Sequence, residues 1–432
     1  MNLQKGLLKV DCPSKSIDDY KKFVPEVVEK IKSLAKSLKG LKISHLNATS
    51  VGGGVAEMLR SEVAIQKDIG LDSAWYVIPP NFKFFEITKK IHNFLQGKKG
   101  DLSKKEKTIY LEYNKLIAQF VSKLSSKPDI LLVHDPQPAA SASFLNAGKL
   151  PYLLWRCHID TSTPNKNVWQ FLAKYLKYYD HFVYTLPEYV KDASIAKNKV
   201  SFITPVIDPL SPKNMPMGKA QAKAYIHKFG IDTTKSLVTQ VSRLDPWKDP
   251  LGVIDAYRLA KKEIPDLQLA LIAQSANDDP EGEVLINKVK DCINGESGIF
   301  LLVNLPDNDQ AINAFQTASN IVLQKSTREG FGLTVTEAMW KGAVVIGGNV
   351  GGIKLQIQDH VNGFLINTTP DAAERIIYVH KNPQIAEKIS KKAHLSVKEN
   401  FLLPHAILSY LKLFAALNSN DHKRFLRLKF GK

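Results

Sequence analysis

Cysteine is scarce in this chain: its 432 residues include three, at positions 12, 157 and 292. An odd count at wide spacing, with no Cys-x-x-Cys pair, excludes a disulfide framework and a cysteine metal site. No apolar run approaches the roughly 18 residues of a membrane span. The segment MNLQKGLLKVDCPSKS at the start lacks the apolar stretch of a secretory signal. The expectation is a soluble, cytoplasmic chain with no membrane partner. Acidic residues are outnumbered, 42 Asp and Glu against 59 Lys and Arg, for a net charge of +17. The excess is lysine spread along the chain, which reads as a solvated face rather than a nucleic-acid footprint. Phosphorylated small molecules are the other anionic partners such a field favours.

What is present is an alternation of short apolar runs with longer amphipathic ones, over a length that exceeds a single core. In the first half the runs are 41–47, 74–79, 129–135, 151–157, 181–186 and 201–207; in the second, 236–244, 267–274, 298–305, 320–326, 343–349 and 363–367. They are rich in β-branched and aromatic residues and mostly continuous, as strands buried on both faces of a parallel sheet are. Amphipathic stretches such as 55–68, 104–124, 251–264 and 311–318 lie between them. The pattern predicts an α/β protein with two doubly wound, Rossmann-like parallel sheets facing across a cleft. The expected domains are 1–208 and 219–404, with a helical segment 405–432 packing back on the first. The seam is expected in the proline-rich PVIDPLSPKNMPMGKA, 205–220.

Ligands of such sheets bind beyond the carboxyl ends of strands, and five unusual segments stand there. Val51-Gly52-Gly53-Gly54 precedes a helix and would let backbone N–H groups approach an anion, or simply make a tight turn. His134-Asp135-Pro136-Gln137-Pro138 puts polar side chains on a restrained backbone, with Asp135 as a helix cap the alternative. Trp155-Arg156-Cys157-His158-Ile159-Asp160 mixes charge and aromatics at a strand end, where His158 alone would also fit a core histidine. In Ser242–Lys248, Arg243 and Lys248 supply a forked donor and a point charge, suited to a diphosphate or to a solvated loop. The last segment runs from Arg328 to Met339. Gly330 and Gly332 open a loop before a helix that begins near Leu333, and Glu329 and Glu337 flank its phosphate-binding end. Two carboxylates placed so can accept hydrogen bonds from sugar hydroxyls.

The pair Glu329 and Glu337, with Arg243 and Lys248 upstream, resembles the retaining GT-B glycosyltransferases of family 4. Segments 134–140, 155–165, 186–190, 241–248 and 328–342 narrow this to a likeness with the trehalose glycosyltransferring synthases. The resemblance implies transfer of glucose from a nucleoside diphosphate glucose, UDP- or ADP-glucose, to free glucose, giving α,α-trehalose reversibly. It implies that Arg243 and Lys248 neutralise the leaving diphosphate, that Glu329 takes the donor 3-OH, and that His158 stands near the donor 6-OH and the reacting centre. Glu337 would hold the ribose, Gly53 and Gly54 the phosphates or donor sugar, and Gly330, Phe331, Gly332 and Leu333 the same nucleotide sugar. Backbone near Val303 and Asn304 would meet the base, and Asp135, Gln137 and Arg156 the acceptor. Gly351-Gly352-Ile353 matches a loop of the family, or is a plain turn. The cations remove any strict need for a metal, with Mg2+ at most stimulatory, and a homodimer is implied. Two readings stay open beside it: a trehalose phosphorylase using inorganic phosphate, and a non-catalytic protein binding nucleotide sugar or polyanions.

Overall fold

A computed structural model describes residues 6–145, 151–191, 195–243, 245–274 and 280–430. The chain forms two compact units: residues 1–205 together with 403–432, and residues 206–402.

The first unit holds a seven-stranded sheet made of β1 (Leu8–Val10), β2 (Lys42–Asn47), β3 (Asp72–Val77), β4 (Ile130–His134), β5 (Tyr152–Arg156), β6 (His181–Tyr184) and β7 (Val200–Phe202), in the order β1-β3-β2-β4-β5-β6-β7. Its helices are α1 (Pro25–Ala35), α2 (Gly54–Asp68), α3 (Phe82–Leu95), α4 (Lys104–Ser122) and α5 (Lys166–Leu176). β4 is buried along its whole length, which is why it reads as a continuous apolar run. One strand departs from the expected all-parallel sheet: β1 pairs antiparallel with β3. Two of its three residues are exposed, so no buried run marked it in the sequence.

The second unit holds β8 (Leu237–Arg243), β9 (Gln268–Gln274), β10 (Ile299–Val303), β11 (Ile321–Gln324), β12 (Val344–Gly348) and β13 (Phe364–Ile366), in the order β10-β9-β8-β11-β12-β13, all parallel. Its helices are α6 (Lys219–His227), α7 (Pro250–Lys261), α8 (Pro280–Ile293), α9 (Asn308–Ala318), α10 (Leu333–Trp340), α11 (Ile353–Gln356), α12 (Thr369–Lys381) and α13 (Pro383–Asn400). The last helix, α14 (Leu403–Phe430), belongs to the first unit, where it packs on α1 and α2.

The segment read from sequence as a seam is part of the second unit from Val206 onward. Side chains hold it there: Asn313 Nδ2 donates to the carbonyls of Pro212 (3.1 Å) and Met215 (2.9 Å), and Trp340 Nε1 to that of Asn214 (3.1 Å). Prolines there deny the segment its own ladder, so its carbonyls are taken by side chains of α9 and α10.

Each sheet reverses its winding at one place. In the first unit β2 and β4 lie side by side while the chain runs outward from them in opposite directions; in the second, β8 and β11 do. The loops leaving such neighbouring strands diverge and open a crevice at their carboxyl ends.

Candidate active site

In the second unit the loops at this crevice are the ones that carry Arg243, Lys248 and Glu329. β8 ends on Arg243, whose side chain is half exposed with Asp245 at 3.9 Å. Pro246–Lys248 then forms a single helical turn, capped by Asp245 Oδ1 accepting from Trp247 N–H at 3.0 Å. Gln240 Nε2, inside the sheet, donates to the Lys248 carbonyl at 2.8 Å, and Thr327 N–H donates to the Trp247 carbonyl at 2.8 Å. That last bond ties the loop after β8 to the loop after β11. Across the tie the Lys248 ammonium and the Glu329 carboxylate form an ion pair, mostly shielded from solvent. Ser326 Oγ adds a hydrogen bond to the same carboxylate at 3.2 Å. Leu244 lies outside the described residues.

The Glu329–Gly332 loop is clamped from behind by Gln356, which the sequence did not single out, and by Gly352, which it did. Gln356 is buried, and its Nε2 donates to the carbonyls of Phe331 (2.6 Å), Gly352 (3.2 Å) and Gly332 (3.3 Å). Its Oε1 accepts from Thr336 at 2.5 Å. Gly352 N–H donates to the Glu329 carbonyl at 3.3 Å. A Cβ on Gly352 would stand 2.3 Å from Phe331 Cα and 2.8 Å from the Gly330 carbonyl oxygen, so only glycine permits this approach. The Gly351–Ile353 segment therefore supports the loop and is more than a turn. Phe331 is buried against Phe401, and α10 begins at Leu333, presenting its first N–H groups at the same place.

Glu337 lies within α10 and is almost wholly buried. Lys213 Nζ stands 3.6 Å from one carboxylate oxygen, and Gln316 Nε2 donates to the other at 3.4 Å. Lys213 comes from the proline-rich segment, where its neighbours suggested only a linker. Val303 closes β10 and Asn304 follows in the left-handed region with φ 53°, its N–H donating to Ala273 at 2.9 Å. They sit two strands from β8, at the same end of the sheet.

In the first unit the loops from β2 and β4 carry the glycines and the His134–Pro138 segment. Gly53 precedes α2 with φ 98° and is exposed, a conformation that a side chain would strain. Asp135 also adopts positive φ, 62°, held by its N–H donating to Arg156 O (2.8 Å) and its carbonyl accepting from Trp155 Nε1 (3.0 Å). Its Oδ1 accepts the His158 backbone N–H at 2.8 Å. Burial pushes its carboxyl up to about 7, against the pull of that N–H and of Arg156. Through Oδ1, Asp135 helps to seat the His158 backbone. Gln137 Oε1 is buried with no partner in the protein. Arg156, expected at the acceptor, is only 1% exposed and donates through Nη2 to the Ile203 carbonyl at 2.6 Å, so it is placed in the interior. His158 follows β5, and its Nε2 lies 3.0 Å from His134 Nδ1. Among the described residues no group of three His, Cys, Asp or Glu stands where it could hold a metal ion. No described helix is long and apolar enough to cross a membrane.

Residues 45–191 match the family described as trehalose synthase, N-terminal domain, and residues 221–395 match glycosyl transferases group 1. A trehalose synthase of Pyrococcus horikoshii is 43% identical over 93% of this chain and 97% of its own length. A trehalose phosphorylase of Pleurotus pulmonarius is 27% identical over 84% of this chain but 55% of its own. Among solved structures, a sucrose-phosphate synthase of Thermosynechococcus elongatus aligns with a TM-score of 0.70 at 15% identity, covering 88% of this chain and all of that one. An α,α-trehalose 6-phosphate synthase of Burkholderia multivorans aligns with 0.67 at 16% identity, covering 88% and 100%. These proteins share the GT-B architecture of two parallel-sheet α/β units, and at 43% identity along nearly its whole length the chain belongs to the trehalose synthase family of glycosyltransferases.

Proposed function

We propose that this protein transfers glucose from a nucleoside diphosphate glucose, UDP- or ADP-glucose, to free glucose with retention, and that it runs the reaction in both directions. The observation that carries this reading is the Lys248–Glu329 pair, set at the carboxyl ends of the two strands where the second sheet reverses. A cation there faces a developing diphosphate charge, and a carboxylate beside it accepts a sugar hydroxyl. Arg243 and the N–H groups that open α10 add to the positive field. Glu337 would take the ribose hydroxyls, with Lys213 and Gln316 holding its carboxylate in place. Val303 and Asn304 would offer backbone to the base, Gly53 and Gly54 would approach the donor, and Gln137 Oε1 would accept from the acceptor glucose.

In the transfer, the bond from C1 of glucose to the diphosphate oxygen breaks as the bond from C1 to the acceptor oxygen forms on the same face. The acceptor's proton passes to the departing phosphate oxygen. The protein's task is to stabilise charge on the diphosphate, which preorganised cations and dipoles do without reorganising. These positive groups meet that need without a required metal; Mg2+ would act only as a stimulant. A cytoplasmic homodimer acting on small sugars is the accompanying reading.

The test is to mix the protein with trehalose and UDP or ADP and to look for nucleotide-linked glucose by chromatography. The proposal expects it, together with free glucose. Glucose 1-phosphate formed from trehalose and inorganic phosphate without nucleotide would overturn the proposal in favour of a phosphorylase.

A further inference from the structure

Three imidazoles of the first unit make one hydrogen-bonded chain. His45 lies within β2, His134 ends β4 and His158 follows β5. His45 Nδ1 is 3.2 Å from His134 Nε2, and His134 Nδ1 is 3.0 Å from His158 Nε2. Successive rings lie 5.4 Å apart and near parallel, at 25° and 13°. Burial lowers the pKa of His45 to about 4 and those of His134 and His158 well below the ordinary range, so all three are neutral at pH 7.

A neutral imidazole has one N–H and one bare nitrogen. In such a chain, the protonation at one end therefore dictates every ring. The closed end is Gln66 of α2. Its Oε1 faces His45 Nε2 at 3.0 Å and Ser73 Oγ at 2.6 Å, while its Nε2 donates to Glu62 Oε1 at 3.3 Å. A 2.6 Å contact suits O–H···O and is short for N–H···O, so the amide oxygen is the atom facing Ser73 and His45. An amide oxygen only accepts, and His45 must then carry its proton on Nε2. His45 Nδ1 is left bare and takes the Nε2–H of His134. His134 Nδ1 in turn takes the Nε2–H of His158. The open end of the chain is His158 Nδ1, which is buried and has no partner in the protein.

We infer that His45 and His134 are positioning residues that hold His158 as its Nε2–H tautomer, so that its bare Nδ1 accepts a hydrogen bond from a sugar hydroxyl. That the hydroxyl is a sugar's rests on the function proposed above; the tautomer does not. The reason for three histidines is directional. A single histidine at 158 would interconvert its tautomers and present a donor part of the time. The chain fixes an acceptor, so the sugar hydroxyl that meets it can only donate, and its orientation is set.

The test uses the full chain with 15N-labelled imidazoles and long-range 1H–15N NMR, with His158 assigned by the loss of its signals in His158→Gln. The expected result is a proton on Nε2 and none on Nδ1 in all three rings, and a shift of the His158 Nδ1 resonance on adding trehalose with UDP. His134→Phe keeps the ring volume but removes the acceptor. It should release His158 into mixed tautomers and lower kcat about tenfold, the worth of one neutral hydrogen bond. His134→Asn restores an acceptor oxygen near the Nδ1 position and should recover both the tautomer and most of the rate. A proton on His158 Nδ1 in the wild-type chain would overturn the inference, whether or not the variants fold. So would trehalose turnover with an unmoved Nδ1 resonance. The Nε2–H tautomer in a chain that forms no nucleotide-linked glucose would instead refute the proposed function and leave the tautomer assignment standing.

Discussion

Gly352→Ala tests how the Glu329–Gly332 loop is held. The backbone of Gly352 has φ −67° and ψ −11°, ordinary helical values, so alanine brings no conformational strain of its own. Its effect is steric alone. The new methyl would lie 2.3 Å from Phe331 Cα, 2.8 Å from Gly330 O and 2.9 Å from Phe331 O. Carbon atoms rest at about 3.5–4.0 Å, so the loop must retreat by roughly 1 Å or more. All three obstacles are backbone, so no rotamer change relieves them. A displacement of about 1 Å at a catalytic group costs on the order of 10²-fold in rate. Overpacking of this kind costs about 1–3 kcal/mol of stability. The assay is steady-state formation of nucleotide-linked glucose from trehalose and UDP or ADP, beside a thermal melt. Gly218→Ala is the control, because a Cβ there meets nothing within 4 Å. Gly352→Ala with the rate and melting temperature of the Gly218→Ala control would refute the reasoning.

Lys248→Ala removes the cation paired with Glu329 and should lower kcat on the order of 10²-fold or more, measured in the same assay. A near-wild-type rate would remove Lys248 from the diphosphate site. Glu62 and His45 make opposite contributions to stability against pH. Burial holds the Glu62 carboxyl protonated up to about 8, against an ordinary 4.5. Its contribution is full below pH 4.5 and is lost as pH rises toward 8, at about 1.4 kcal/mol per pH unit. Glu62→Gln keeps the shape and should gain on the wild type between pH 6 and pH 8 in denaturant melts; parallel curves would contradict the assignment. His45 titrates near 4 instead of 6.5, so its contribution is full above pH 6.5 and is lost as pH falls toward 4. His45→Phe should therefore flatten the acid limb of the same melts.

Among the described residues the sequence marked twelve parallel strands, because most of them, such as β4 and β11, are buried along their length and read as short apolar runs, whereas β7, exposed or half-buried throughout, was touched only at its end by the run read at 201–207. It also singled out the loops after strands that carry Arg243, Lys248 and Glu329, since charged and glycine-rich residues directly after an apolar run are unusual for a packing segment. The antiparallel β1 left no such trace: an exposed three-residue edge has no burial pattern to display. Only the tertiary structure decided which loops meet. Strand order is a matter of pairing between distant segments, and it is the adjacency of β8 and β11 that brings Lys248 against Glu329, 81 positions along the chain. The same holds for the interior of each unit. Gln356, Lys213, His45 and Gln66 look unremarkable in their own neighbourhoods. They matter because folding strips water from carbonyls, carboxylates and ring nitrogens that must then find partners. Arg156 shows the converse, a residue conspicuous in sequence whose side chain the fold turns to an interior carbonyl.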